Sequence, residues 1–225
     1  MNNKFEYFNK ESLIAWNDAN YDIEYFGNNL EFIVLGEEHH SLEIKNKQIE
    51  LINRVKPEYV LLEHITAWTY NPKNLNFTKQ ENRIIGEYDQ NVHDLNKDWD
   101  VRGLTNESNK LGFEIIGCDL TNAELLIVAG QINKNIYEDD INYKKFKLLC
   151  QYIILEEIIQ KSEEFIPYRE QKKIEIINNY KNKSKNTVIV ILGDYHAKNL
   201  HEQKKLQELN IEYAYVSQGK KEEDQ

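Results

Sequence analysis

The stretch that decides the fold is residues 32–40, FIVLGEEHH. Its uninterrupted apolar run, residues 32–35, is typical of a strand buried on both faces of a parallel sheet. Gly36 ends the run, and two carboxylates and two imidazoles follow at once. Because glycine lets the backbone turn sharply, the stretch predicts a buried strand with a group of polar residues at its carboxyl end.

The same sequence pattern, an apolar run that ends in glycine and is followed by a histidine, recurs in residues 188–196, VIVILGDYH. There the apolar run ends at Gly193, and the histidine again comes three residues after the glycine. His39 and His196 therefore occupy matching positions. Since ligands of open α/β sheets bind at the carboxyl ends of the strands, we expect both histidines at one edge of the sheet.

Apolar runs and helical periods alternate from residue 32 onward, which predicts an α/β fold with a mainly parallel central sheet flanked by helices. Ser41 is a suitable N-cap for the first of these helices, which Pro57 ends. The predicted strands are residues 32–35, 59–62, 113–117, 187–192 and 213–216. The predicted helices are residues 11–20, 42–55, 101–111, 123–129, 141–161, 168–180 and 197–209.

A chain of 225 residues suits one α/β domain, 1–225, with a sizeable core. Residues 1–30 are polar with scattered aromatics and predict a segment that covers the sheet. Residues 66–100 lack a clear period, which favours a helical or irregular insertion or a lid. The tail, residues 218–225, is expected to fray.

Composition excludes several classes of protein. The formal net charge is −10, from 28 basic and 38 acidic residues, so binding to a nucleic-acid backbone is not expected. Cys118 and Cys150 have no disulfide or zinc spacing and predict buried thiols. No secretory signal or membrane-spanning run is visible. The simplest expectation is a cytoplasmic protein with a small-molecule or peptide substrate, and the sequence does not specify its oligomeric state.

Polar residues follow four of the predicted strands, and parallel strands would bring them to one edge. These residues are Glu37 to His40, Glu63 and His64, Cys118 and Asp119, and Asp194 to His196. Two histidines and one carboxylate can hold Zn, Mn, Fe or Co and leave positions open for an activated water. Without a metal, a histidine beside a carboxylate can act as general base on water. The residues alone leave both chemistries open.

Four motifs together carry a family resemblance: GEEHH after the first strand, VLLEH at the end of the second, YREQKK, and ILGDYH. They resemble the superfamily of erythromycin esterases, TraB/PrgY proteins, Tiki metalloproteases and ChaN-like haem-binding proteins. That superfamily shares a Gly–x–x–His at each end of an α/β core, a glutamate after the second strand and an arginine before the final motif. The resemblance covers residues 31–216 except 66–100.

The resemblance gives His39 and His196 the roles of the motif histidines. His40 is the alternative to His39, because erythromycin-esterase-like members place the histidine one position later. The implied catalytic residues are Glu37, His39, His40, Glu63, Arg169, Asp194 and His196, and the implied metal ligands are His39, Glu63 and His196. The sequence shows neither the signal peptide of the secreted members nor the membrane helices of many TraB proteins, so we expect this chain to depart from the superfamily in these two features.

The resemblance implies a hydrolase that activates water, with a divalent metal or with histidine, to attack an ester, amide or related carbonyl. Its alternative is a ChaN-like protein that binds haem or a metal without catalysis. A third interpretation is a structural or interaction protein whose polar strand ends satisfy one another. These three make different predictions for replacement of His39 and His196: lost turnover, lost ligand binding, or lost stability alone.

The sequence also predicts the surroundings of three further side chains. Arg169 lies at a helix start, where a cation is unfavourable for the helix dipole, so we expect it to have another partner. That partner is either a substrate carboxylate or oxyanion, or a nearby glutamate in a structural ion pair. His64 is expected on the strand face opposite Glu63 if the extended geometry persists. His93 is expected to be a surface imidazole.

Overall fold

The computed structural model describes residues 6–18, 21–38, 41–86, 89–125, 127–128 and 165–218. Within these residues, eight strands form one mixed sheet. The strands are β1 Asp22–Phe26, β2 Phe32–Glu37, β3 Tyr59–Leu62, β4 Trp68–Asn71, β5 Asn76–Lys79, β6 Glu114–Gly117, β7 Val188–Gly193 and β8 Tyr213–Gln218. Their order across the sheet is β1-β8-β2-β7-β3-β6-β4-β5.

Helices flank this sheet. They are α1 Lys10–Trp16, α2 Leu42–Val55, α3 Val92–Lys97, α4 Trp99–Leu111, α5 Ile166–Tyr180, α6 Asp194–Glu202 and α7 Lys205–Glu208. A 3-10 turn, Glu63–Ile65, follows β3 directly. No helix within the described ranges is long and apolar enough to cross a membrane.

The centre of the sheet is parallel. Neighbours β8, β2, β7, β3 and β6 all pair in parallel, whereas β1 and the β4–β5 pair attach antiparallel at the two sides. The predicted α/β fold with a mainly parallel central sheet is therefore confirmed. The carboxyl ends of five strands consequently lie at one edge.

Residues 66–100 contain more regular structure than predicted. A hairpin of β4 and β5 extends the sheet, and α3 and the first residues of α4 follow it. Each strand has four residues, and Phe77 is the buried residue of β5. An edge strand that buries so little carries almost no alternation of apolar and polar residues, which is why its period was not visible in the sequence.

Helix α2 spans the predicted residues 42–55. The Oγ of Ser41 accepts a hydrogen bond from the Ile44 amide at 3.4 Å, as expected of an N-cap. Lys56 leaves the helix in the left-handed region, with φ of 50°, just before Pro57. The predicted helix over 197–209 instead begins at Asp194 and divides into α6 and α7 at Lys204, whose φ is 57°.

Two apolar clusters fill the space on the two faces of the sheet. On β2, Ile33 and Leu35 face the cluster that contains residues of α2 and α4, whereas Phe32 and Val34 face the cluster that contains residues of α5 and α6. The segment before β2 contributes α1 to the first cluster and β1 to the sheet edge. The predicted helix over 141–161 and Cys150 lie outside the described residues. So do residue 129, the last of the predicted helix 123–129, and residues 219–225 of the predicted tail.

Candidate active site

Gly36 allows the two motif stretches to approach each other closely, but not by turning the chain. Gly36 lies within β2, and neither it nor Gly193 has a positive φ. A Cβ on Gly36 would collide with Oδ1 of Asp194 and come within 3.1 Å of the Ala197 Cβ. Gly36 is therefore required because α6 crosses close to the backbone of β2. The expected sharp turn at this glycine is wrong.

Glu63 follows β3 and is the centre of the buried site. It is 7% exposed, and its Oε2 accepts a hydrogen bond from the Gly193 amide at 2.7 Å. Its Oε1 lies 2.8 Å from Nη2 of Arg169 and 3.3 Å from Nζ of Lys173. Burial alone would raise the pKa of Glu63, but the positive charges around it hold that pKa well below its ordinary value. Glu63 is therefore an anion at neutral pH.

Asp119, two residues beyond β6, is the second carboxylate of the site. Its Oδ2 lies 2.7 Å from Nζ of Lys173 and accepts a hydrogen bond from Nε of Arg169 at 3.0 Å. Its Oδ1 accepts from the Leu120 amide at 2.7 Å. The sequence placed Asp119 among the polar strand ends but not among the implied catalytic residues, whereas the structure places it in contact with both cations.

Helix α5 supplies those cations from one face, because Arg169 and Lys173 are four residues apart. Lys173 is fully buried. The expectation that Arg169 has a partner other than the helix dipole is confirmed, and both Glu63 and Asp119 serve as that partner. The formal charges of these four side chains cancel, which is what permits such burial.

His196 lies in the first turn of α6, beside this cluster. Its Nε2 is 3.6 Å from Oε1 of Glu63, and its Nδ1 is 3.9 Å from Oε1 of Glu170. Burial lowers the pKa of His196 to about 4, so the imidazole is neutral at pH 7. Burial also raises the pKa of Glu170, whose Oε1 accepts a hydrogen bond from Asn199 at 3.0 Å.

A cavity of about 310 Å³ opens beside the two carboxylates. The residues that line it are Glu63, His64, Thr66, Asp89, Gln90, Asp119, Leu120, Asn122, Leu125 and Arg169. His64 thus borders the same cavity as Glu63, because the 3-10 turn replaces the extended geometry that would have separated them. Thr66, just past the turn, has a φ of 38°, a strained value for a β-branched residue.

The structure brings together some of the predicted site residues and separates others. Glu63, Arg169 and His196 form one cluster. Asp194 instead accepts hydrogen bonds from the Tyr215 and Ser217 hydroxyls of β8 at 3.1 and 3.0 Å. Glu37 has its side chain on the opposite face of the sheet. His39 and His40 lie outside the described residues.

Sequence reasoning missed Lys173 and Glu170, and it did not include His64 among the site residues. Lys173 carried a usable signal, since its four-residue spacing from Arg169 puts both on one helix face. Glu170 and Lys173 also share the buried side of α5 with Ile176 and Ile177. A charged side chain on the buried side of a helix must have a partner of opposite charge. The polar residues at the strand ends are the candidates for that partner. His93 is exposed, as expected.

The described residues do not by themselves form a metal site. No group of three or more His, Cys, Asp or Glu side chains with suitable placement occurs among them. The oxygens of Glu63 already face Arg169, Lys173 and the Gly193 amide. A divalent cation there would be repelled by both basic side chains. A metal ligand set that includes His39 stays a prediction.

Cys118 precedes Asp119 and is buried beneath the site. Burial raises the pKa of its thiol, so it is protonated and unreactive at neutral pH. The expectation of a buried thiol at this position is confirmed.

Family models, curated proteins and solved structures were all compared with this chain, and none matches it.

Proposed function

We propose that the protein is a hydrolase that activates water to attack an ester, amide or related carbonyl. The observation that supports this proposal is the contact of His196 with Glu63, which lines a cavity at the carboxyl edge of the sheet together with Asp119 and Arg169. Such edges are where α/β proteins bind ligands, and buried titratable groups beside a cavity are candidates for catalysis.

His196 is the general base of the proposed reaction. Its imidazole is neutral at pH 7 because burial lowers its pKa, so a ring nitrogen is available to accept a proton from water. The imidazolium that results is paired with the anionic Glu63, whose Oε1 lies 3.6 Å from Nε2. Glu63 is itself kept anionic by Lys173 and Arg169. This chain of contacts lets a buried base acquire charge at reduced cost.

Arg169 is the electrophilic group of the proposal. It borders the cavity, and Asp119 accepts from both its Nε and its Nη2, which fixes the plane of the guanidinium. A guanidinium held in place before reaction stabilises the oxyanion that forms when water attacks a carbonyl. Lys173, fully buried behind it, compensates the second negative charge.

A second candidate function is divalent-metal binding, with or without catalysis. It is favoured by Nδ1 of His196, which is buried and has no hydrogen-bond partner among the described residues. A neutral imidazole nitrogen is the form that binds metals. Donors from outside the described residues, His39 foremost, would have to complete the set. The haem alternative of the sequence resemblance makes a separate prediction, a visible absorbance band on titration.

The experiment is an ester and amide panel assayed on protein purified without a His tag, before and after chelation. The proposal predicts turnover of at least one carbonyl substrate, and loss of that turnover in His39→Ala or His196→Ala with circular dichroism unchanged. His93→Ala, an exposed histidine, is the matched control. Full activity in both the His39 and the His196 variants would contradict the proposal.

Elemental analysis of the same preparations separates the two candidates. Near-stoichiometric metal in the wild type, lost in a His39→Ala, His196→Ala double variant, would support a metal site at the two strand ends. Turnover that survives chelation without bound metal would support the histidine mechanism.

A further inference from the structure

Arg83 is a buried arginine in the segment between β5 and α3, and it is 7% exposed. A guanidinium has five N–H groups, and each of them has an acceptor here. Nε and Nη2 donate to the two carboxylate oxygens of Glu124 at 2.7 and 2.8 Å. Nη1 donates to Oε1 of Gln80 at 3.2 Å and to the main-chain carbonyl of Thr66 at 3.3 Å. Nη2 also donates to the main-chain carbonyl of Asp119. One side chain therefore connects four separate parts of the chain.

Two of these acceptors belong to residues that line the cavity, Thr66 and Asp119. Arg83 binds both by their carbonyl oxygens rather than by their side chains. Thr66 has the strained φ of 38°, and a Cβ on Gly117 would collide with the Thr66 carbonyl. A strained backbone persists only where the surrounding structure fixes it. The Arg83 hydrogen bond and the close approach of Gly117 together fix the direction of the Thr66 carbonyl.

Asp119 connects Arg83 with Arg169. Its main chain accepts a hydrogen bond from Arg83, and its carboxylate accepts from Nε of Arg169 at 3.0 Å. A shift of the Asp119 main chain would move the carboxylate, because the side chain is short. The plane of the Arg169 guanidinium would then move with it. Lys173 also contacts this carboxylate, but an ammonium is a point charge on a flexible stem and does not fix a plane.

Charge compensation alone does not account for the contacts of Arg83. Burial would raise the pKa of Glu124, but its hydrogen bonds from Arg83 hold that pKa below its ordinary value. A lysine at position 83 would supply the same charge. The other three hydrogen bonds of the guanidinium go to uncharged oxygens. To hold several acceptors in fixed directions at once requires the planar fork of arginine.

We propose that Arg83 is a positioning residue of the active site. It holds the main chains of Thr66 and Asp119. Through Asp119 it sets the plane of the Arg169 guanidinium. This role rests on the proposed hydrolase function, in which Arg169 stabilises the oxyanion. Residues 66–100 thus supply part of the active site in addition to the hairpin that extends the sheet.

Exchange of the Nε proton of Arg169 with solvent tests the positioning without any activity assay. The chain has four arginines, so protein labelled with ¹⁵N-arginine gives four Nε signals. Arg83→Lys keeps the charge that pairs with Glu124 but cannot hold both carbonyls in place. We expect this variant to accelerate exchange at Nε of Arg169 by at least about tenfold. Unchanged exchange would overturn the inference.

Thr121→Ala is the matched control. The Thr121 hydroxyl donates to the Ile84 carbonyl at 2.6 Å, so its removal weakens the contact between the same two segments. It leaves in place the two carbonyl groups that Arg83 holds. We expect Thr121→Ala to lower the free energy of unfolding and to leave exchange at Arg169 slow. Equal acceleration in Thr121→Ala and Arg83→Lys would show that Arg83 has only a structural role.

The wild type supplies a measurement that needs no variant. The Nη protons of Arg83 should give separate, slowly exchanging signals, because each of them has an acceptor. One averaged signal would mean that the guanidinium rotates freely. That result would overturn the inference even if Arg83→Lys failed to fold.

Kinetics separate the positioning role from the proposed function. On a substrate that the wild type hydrolyses, Arg83→Lys should lower kcat by about 10–100-fold. KM should stay within about threefold, because the orientation of Arg169 matters where the oxyanion forms. Wild-type kcat in Arg83→Lys would overturn the positioning role and leave the proposed function intact. No hydrolysis by the wild type would contradict the proposed function, whereas the exchange measurement would still decide whether Arg83 fixes Arg169.

Discussion

Replacement of Lys173 by methionine is the sharpest test of the buried charge cluster. The side chain is fully buried, and its Nζ lies 2.7 Å from Asp119 and 3.3 Å from Glu63. Methionine keeps much of the length and removes the charge. Arg169 would then face two buried carboxylates alone, which leaves one negative charge uncompensated. Removal of one partner from a buried ion pair costs about 3–5 kcal/mol.

The assay is guanidinium chloride unfolding together with a thermal scan. For a protein of this size each kcal/mol lowers the Tm by about 2–4 °C, so the expected loss is about 6–20 °C. Lys172→Met is the matched control one position away. Its Nζ pairs at 2.7 Å with Glu175, which is about half-exposed. An exposed pair of this kind contributes about 0–1 kcal/mol.

A companion variant separates charge from packing. Lys173→Met combined with Asp119→Asn removes one charge of each sign, and we expect it to recover part of the stability lost in Lys173→Met. If Lys173→Met instead unfolds at the same denaturant concentration as Lys172→Met, the claim that this cluster depends on charge compensation is wrong.

Two further predictions concern the approach of α6 and the acid stability. Gly36→Ala should lower the free energy of unfolding by about 1–3 kcal/mol, because the new methyl group collides with α6 near Ala197. Gly103→Ala has open space in α4 and should instead raise the free energy of unfolding by about 0.5–1 kcal/mol, measured by the same denaturation. The pKa of His196 falls from 6.5 to about 4 on burial, so the folded state binds fewer protons than the unfolded state between these values. The contribution of His196 to the free energy of unfolding should therefore be fully present above pH 6.5, and the free energy of unfolding should fall by about 3 kcal/mol as the pH is lowered to 4. Denaturation at a series of pH values should show this loss reduced in His196→Gln and unchanged in His93→Gln; equal losses in both variants would refute the assignment.

Much of the fold was predictable because the relevant signals are local. The strand at residues 59–62 and helix α2 matched their predicted bounds, since an apolar run, a serine N-cap and a proline after the helix all act within a few residues. The β4–β5 hairpin was missed because an edge strand buries little and leaves no clear pattern. The hairpin joins the sheet through the pairing of β4 with β6, which is far away in sequence.

The candidate site was predictable only in part, for a geometric reason. Convergence of Glu63 and His196 follows from parallel strands that end at one edge. Glu37 was grouped with them because it also follows an apolar run, but strand alternation turns its side chain to the opposite face. Lys173 was overlooked because a buried lysine is explained only by partners from two distant strands.

The measurement that tests the central claim most directly is kcat/KM of Glu63→Gln on the substrate that the wild type hydrolyses best. The substitution keeps the shape of the side chain and removes the charge that pairs with His196. Glu202→Gln, on the exposed side of α6, is the control. The account predicts a fall of about 10²–10⁴-fold in Glu63→Gln and no change in Glu202→Gln. Wild-type kcat/KM in Glu63→Gln would contradict a catalytic site at this edge of the sheet.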